Sequence, residues 1–191
     1  MPYDLLRDLR DIYLQRALKP YGLTQLHQLQ HALQCAWQAE QSGATPALIT
    51  AALLHDIGHM IHDLGEHPAA SGQDDNHEER GASWLGWHFG PAVVEPVRLH
   101  VAAKRYLCAR QPDYLARLAP DSQESLRLQG GPMHDAECEA FERERYADDA
   151  ISLRLWDEAA KDPKALPPDW THFERSVMEA RQQAPAAESV Y

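Results

Sequence analysis

The chain has 191 residues, 44% of them apolar and 25% charged, and carries a net charge of −11 at pH 7. That length suits one domain with a substantial core rather than two, and no apolar run approaches the roughly 18–20 residues of a membrane span. With no Lys/Arg cluster, the acidic balance argues against a nucleic-acid partner and speaks mainly to solubility.

The N-terminus is charged from its fourth residue and has no apolar signal-peptide stretch, so a cytoplasmic address is expected. Residues Thr24–Glu40 are rich in Leu, Gln and Ala, lack Gly and Pro, and read as a helix. Thr45-Pro46 looks like an N-cap with proline at the first helical position, opening a helix over Ala47–Leu54. Asn76 can cap a further helix through Glu78, Glu79, Gly81 and Ala82. Pro91 and Pro96 bracket the start of a segment through Leu107, and Asp121-Ser122 precedes a short helix ending at Gly130-Gly131-Pro132. The last strong helix is expected over Ala136–Lys161, stopped by Asp162-Pro163. Period-two runs of β-branched residues are missing, so the class is all-α. One domain over residues 1–181 with a flexible tail over 182–191 is expected. Cys35, Cys108 and Cys138 are odd in number and widely spaced, which reads as buried free thiols.

Eleven histidines are many for this length. His55 and Asp56 are adjacent at the end of the apolar stretch LITAALLHDIGHM, and His59 follows one turn on. Burying that aspartate requires a partner, so the pair is either a satisfied core ion pair or part of a metal site. His31 on the preceding helix, His77 and His100 on later ones and Asp157 on the last complete the set. Together they give four imidazoles and two carboxylates, a complete ligand set for two metals with a bridging aspartate. Mixed imidazole and carboxylate ligation suits iron, manganese or zinc. Lys104 lies four residues after His100, and Arg154 three before Asp157. Each cation therefore shares a helix face with a candidate ligand, as an anion-binding site beside the metals requires.

The ordered pattern H…HD…H…H…D, with HDIG at 55–58, resembles the HD-domain superfamily. More narrowly, AALLHDIGH, NHEERGASWL, HVAAKRYLC, LAPDSQESLRLQGGPM and LRLWDEAAK resemble the small PhnZ-type oxygenases that cleave the carbon–phosphorus bond of 1-hydroxyphosphonates. The likeness runs from about Tyr21 to Lys161. It implies a helical HD bundle with a di-metal centre in its core, holding a mixed-valent Fe(II)/Fe(III) pair. His31, His55, Asp56 and Asp157 would hold one iron, and Asp56 would bridge to a second completed by His77 and His100. It further implies that Lys104, Ser122, Arg154 and His59 contact the substrate, and that Tyr21 can occupy the open position on the second iron. The partners would be an organophosphonate and dioxygen, and the products phosphate and a carboxylic acid. The family members that act on 2-amino-1-hydroxyethylphosphonate carry a glutamate three residues after that tyrosine, where this chain has Thr24. Threonine cannot pair with an ammonium, so a neutral substituent, or a quaternary ammonium held by aromatic contact, fits better. The competing reading is a metal-dependent HD phosphohydrolase acting on a nucleotide or another phosphate ester. Oligomeric state is left open, with a monomer favoured.

Overall fold

A computed structural model describes residues 4–16, 26–61 and 75–182, the range to which every structural statement below refers. It contains ten α-helices, one 3-10 turn and no β-strand among those residues. Helix α1 (Leu5–Arg16) places Leu5, Leu9 and Tyr13 at four-residue spacing, and all three are buried. Helix α2 (Gln28–Gln41) turns His31, Cys35 and Ala39 inward with the same spacing, and its small Ala32 and Ala36 let it approach its neighbours. Helix α3 (Pro46–Leu54) is buried from Ala47 to Leu54 and is the apolar centre of the molecule. Helices α2, α5 and α10 pack around it. Its start follows the expected chemistry: the Thr45 hydroxyl accepts from Leu48 N–H at 3.3 Å, with Pro46 at the first position. Such a cap contributes about 1 kcal/mol.

The 3-10 turn Ile57–Met60 follows, then α4 (His77–Leu85) and the 20-residue α5 (Pro91–Arg110), which packs on α3, α4 and α9. Helices α6 (Pro112–Arg117), α7 (Pro120–Leu128) and α8 (Asp135–Phe141) cover one end of α5, where they bury Tyr114, Leu118, Leu126 and Phe141. Helices α9 (Ala147–Ala159) and α10 (Trp170–Gln182) complete the bundle. No helix among the described residues is long and apolar enough to cross a membrane. The three cysteines are buried and free.

Three expected boundaries move, and one expected cap forms differently. The helix expected from Thr24 begins at Gln28, because Leu26 is buried ahead of it and His27 is extended (φ −92°, ψ 149°). Asn76 does stand at the N-cap of α4, but with left-handed backbone (φ 47°) and no capping bond from its side chain. Ser122 lies within the first turn of α7 rather than ahead of it, since Pro120 already starts that helix. The helix expected over Ala136–Lys161 is broken after Phe141. Phe141 and Ala147 both bury in the same apolar cluster against α5, and the chain between them turns on bonds from Glu144 N–H to Phe141 O (3.0 Å) and from Ala147 N–H to Glu144 O (3.1 Å). Beyond Pro163, α10 was not expected, although Trp170, Phe173, Val177 and Ala180 recur at helical spacing and are all buried.

Candidate metal centre

Helix α3 delivers the HD pair by ending on it. Leu54 is its last residue, His55 its C-cap, and Asp56 opens the 3-10 turn, so adjacent side chains swing into one cavity from a change of helix type. Gly58 makes that turn possible. A Cβ added there would lie 1.9 Å from the carbonyl oxygen of His77, so the start of α4 sits directly on the glycine. Helices α2, α5 and α9 bring in His31, His100 and Asp157. All six side chains are buried, none more than 7% exposed.

The ring nitrogens are sorted by their outer partners. His31 Nδ1 donates to Ala160 O (2.8 Å), His55 Nδ1 to Ala52 O (2.9 Å) and His100 Nδ1 to Val97 O (2.7 Å). His77 Nδ1 donates to Asp75 Oδ1 at 3.0 Å. A carbonyl or carboxylate on Nδ1 fixes the proton there and leaves a lone pair on each Nε2. Those four Nε2 atoms face inward: His77 and His100 approach to 3.1 Å, and His31 and His55 to 3.4 Å. Lone pairs facing each other at such separations repel unless a cation joins them.

The carboxylates lie among these nitrogens. Asp157 Oδ1 is 3.2 Å from His31 Nε2 and 3.9 Å from His55 Nε2. Asp56 faces both pairs, with Oδ2 3.8 Å from His31 and Oδ1 3.4, 3.7 and 3.9 Å from the Nε2 atoms of His55, His77 and His100. Asp56 Oδ2 and Asp157 Oδ1 are buried with no hydrogen-bond partner among the described residues. Unsatisfied buried carboxylate oxygens are costly, and here they converge with imidazole lone pairs. Three trios are close enough to share an ion, His31/His55/Asp157, Asp56/His77/His100 and His59/Asp75/His77, and the first two contain all six of the converging side chains. The donor set therefore fits metal ions, and Asp56 lies within reach of both histidine pairs.

Charge in this cavity is steered by burial and neighbours. Burial alone would raise the Asp56 pKa, but the imidazoles of His55, His59, His77 and His31 hold it below the usual carboxylate range. Asp157 is likewise held well below that range against its burial, chiefly by Arg154 and then Lys161. Burial pushes His55 down, and His100 well down, so both favour the neutral, ligating form.

Beside the cluster of imidazoles and carboxylates lies a cationic end. Lys104 is buried, donates to Ser125 Oγ at 2.8 Å, and is pushed down to about 7 by burial and then by Arg154. Arg154 spans the end of α9: it pairs with Asp157 Oδ2 and Glu158 Oε2, and donates to Tyr114 Oη (2.8 Å) and Ser122 Oγ (3.2 Å). Ser122 Oγ also accepts from Lys161 Nζ at 2.9 Å and donates to Glu158 Oε2 at 3.2 Å. The guanidinium thus steadies a metal-facing aspartate and reaches the serine in one residue. His59 stands on the opposite side, stacked on His77 with ring centroids 3.9 Å apart, and its Nε2 is 3.9 Å from Asp56 Oδ1. Tyr21 and Thr24 lie outside the described residues.

Sequence reasoning named the six metal-facing residues and Lys104, Ser122, Arg154 and His59, and the fold brings all ten to this region. It named Glu158 only as a possible partner of Arg154, and it missed Asp75, Tyr114, Ser125 and Lys161. Lys161 was discoverable, since it lies four residues after Asp157 just as Lys104 lies four after His100. Asp75 was obscured because Asn76 beside it looked like the cap.

A helical bundle that ends one helix on an HD pair and gathers three more histidines and a second aspartate around it is an HD-domain protein with a core able to hold metal ions. No protein-family model matches the chain. It is 48% identical over 153 residues to a hydroxymethylphosphonate dioxygenase of Gimesia maris, covering 78% of this chain and 75% of that protein. It is 44% identical over 144 residues to the [1-hydroxy-2-(trimethylamino)ethyl]phosphonate dioxygenase (glycine-betaine-forming) of Leisingera caerulea, covering 75% and 74%. An uncharacterized protein of Acanthamoeba polyphaga mimivirus is 32% identical over 137 residues, 70% of this chain and 62% of that one. The chain belongs to the family of these hydroxyphosphonate dioxygenases, the PhnZ-type oxygenases that its motifs resemble.

Proposed function

We propose that this protein uses dioxygen to cleave the carbon–phosphorus bond of a 1-hydroxyalkylphosphonate, giving a carboxylic acid and phosphate. The reaction balances with one O2 per substrate: the C–H and C–P bonds of C1 are broken, and both oxygen atoms end in the two products. The observation that carries this reading is the convergence of four imidazole Nε2 atoms and two carboxylates on one buried point beside Lys104, Ser122 and Arg154. The names of the two dioxygenase relatives support the oxidative reaction over hydrolysis of an ester.

In this reading His31, His55, Asp56 and Asp157 would hold one iron, and Asp56, His77 and His100 would hold the other. Bound as a mixed-valent pair, the irons supply the one-electron chemistry by which dioxygen reacts with a C–H bond. The chain's own residues do the rest. Lys104, Ser122 and Arg154 receive the phosphonate oxygens through charge-assisted hydrogen bonds. Burial of all six metal-facing residues excludes bulk water and strengthens each of those contacts. His59 Nε2 faces the same cavity as an acceptor for a polar substrate hydrogen. Tyr21, which lies outside the described residues, would serve the second iron in the resting enzyme, as the resemblance implies. Thr24 in place of a glutamate favours a substituent without a primary ammonium, consistent with relatives named for a hydroxymethyl and a trimethylamino substrate. The working unit is a single domain over residues 1–181.

The test is iron content with Mössbauer or EPR spectroscopy, followed by oxygen uptake on hydroxymethyl-, 1-hydroxyethyl-, 2-amino-1-hydroxyethyl- and trimethylamino-substituted phosphonates. Two irons, a mixed-valent signal and phosphate release matched one-to-one by oxygen consumption are expected. Phosphate released from esters under anaerobic conditions, supported by manganese, would replace this reading with an HD phosphohydrolase.

A further inference from the structure

Asp75 is 6% exposed and lies outside the two trios that contain Asp56 and Asp157, forming a third with His59 and His77. Its two oxygens are divided between two histidines. Oδ1 accepts from His77 Nδ1 at 3.0 Å and lies 3.4 Å from the His77 backbone N–H. Oδ2 accepts from His59 Nδ1 at 2.6 Å. The rings so held are stacked, with centroids 3.9 Å apart and planes inclined by 21°. Their Nε2 atoms then stand nearly equidistant from the same oxygen, Asp56 Oδ1, at 3.7 Å for His77 and 3.9 Å for His59. Arg80 Nε donates to the Asp75 carbonyl at 2.8 Å, which fixes the backbone from which the carboxylate projects.

We infer that Asp75 is a positioning residue that couples one ligand of the second metal to the substrate contact: a single carboxylate sets the tautomer and the tilt of both His77 and His59. This rests on the assignment of His77 as a metal ligand and His59 as a substrate contact. An ionised carboxylate only accepts, so both histidines carry a proton on Nδ1, and each ring in its neutral form then presents a lone pair on Nε2. For His77 that is the ligating form. For His59 it makes Nε2 an acceptor, suited to a substrate hydroxyl rather than to a phosphonate oxygen. His31, His55 and His100 receive the same service from backbone carbonyls, which serve one ring each. Only at His77, among these rings, does the outer partner also hold a second imidazole aimed at the cavity. Disturbing Asp75 therefore moves metal binding and substrate binding together, whereas disturbing His59 moves substrate binding alone.

The iron-loaded enzyme distinguishes these outcomes. In Asp75→Asn the amide offers one acceptor and one donor, so one of the two rings must lose its Nδ1–H bond. Release of the second iron to a chelator should quicken about 10- to 100-fold, the usual effect of removing a ligand's outer partner. The EPR signal of the remaining pair should shift, and KM should rise. His59→Gln should raise KM while keeping two irons, the wild-type spectrum and the wild-type chelator rate. If Asp75→Asn does not accumulate as folded protein, Asp75→Glu is read instead and should release iron faster than wild type. Wild-type iron release and spectrum in the variant read would overturn the inference. A wild-type protein that never holds two irons would instead overturn the oxygenase reading on which it stands.

Discussion

Replacing Lys104 with methionine keeps the volume of a buried side chain while deleting its charge, and so isolates one phosphonate contact. Lys104 is 4% exposed and donates to Ser125 Oγ at 2.8 Å, close to the Arg154–Ser122–Lys161 group. A hydrogen bond to a charged partner contributes about 1.5–3 kcal/mol. At about 1.4 kcal/mol per factor of ten, its loss should raise KM about 10- to 100-fold. The pH dependence gives a second signature. Burial and Arg154 push Lys104 down to about 7 in the free protein, so its proton is present below that pH and lost above it. The ammonium's contribution to affinity is thus full in acid and declines as pH rises through about 7. Wild-type KM should climb on the alkaline side, and Lys104→Met should remove that climb. The assay is oxygen uptake against phosphonate concentration from pH 6 to pH 9, with iron content measured on every sample. A Lys104→Met enzyme whose KM stays within about two-fold of wild type would refute the contact. So would an unchanged alkaline rise in KM.

His100→Ala removes a buried imidazole whose Nε2 lies 3.1 Å from that of His77, and should cut iron from two per chain to one while the helical circular dichroism is retained. Iron analysis after desalting checks it. Gly58→Ala would place a methyl 1.9 Å from the His77 carbonyl oxygen, so the start of α4 must move; a loss of about 3 kcal/mol, the upper range for overpacking, is expected in urea unfolding together with weakened iron binding. Thr24→Glu should improve kcat/KM for 2-amino-1-hydroxyethylphosphonate relative to the hydroxymethyl compound. The ratio of the two values measures that change, and a constant ratio would count against Thr24 as the substituent-reading position.

The sequence by itself determined the class and named the candidate ligands. Apolar residues at helical spacing and the absence of alternating β-branched runs required an all-α bundle. Thr45-Pro46 marked the start of α3 because capping is a local interaction, complete within four residues. The histidines and aspartates could be named because buried imidazole and carboxylate groups have few other uses in this combination. Boundaries set by distant packing were not legible. The break after Phe141 follows from a shared pocket against α5, and the late start of α2 from burial of Leu26.

Only the tertiary structure decided which atom of each residue does what. That His31 presents Nε2 depends on the carbonyl of Ala160, 129 residues away, whereas His55 and His100 are oriented locally by the carbonyls of Ala52 and Val97 three residues back. That Arg154 spans Asp157, Glu158, Tyr114 and Ser122 depends on α6 and α7 folding over α9. Asp75 acquires a role through its approach to His59, which the intervening sequence does not reveal. Residue type fixes which groups a side chain can bond. For His31 and His59 the direction of lone pairs and protons is set by partners that arrive only when the chain has closed on itself.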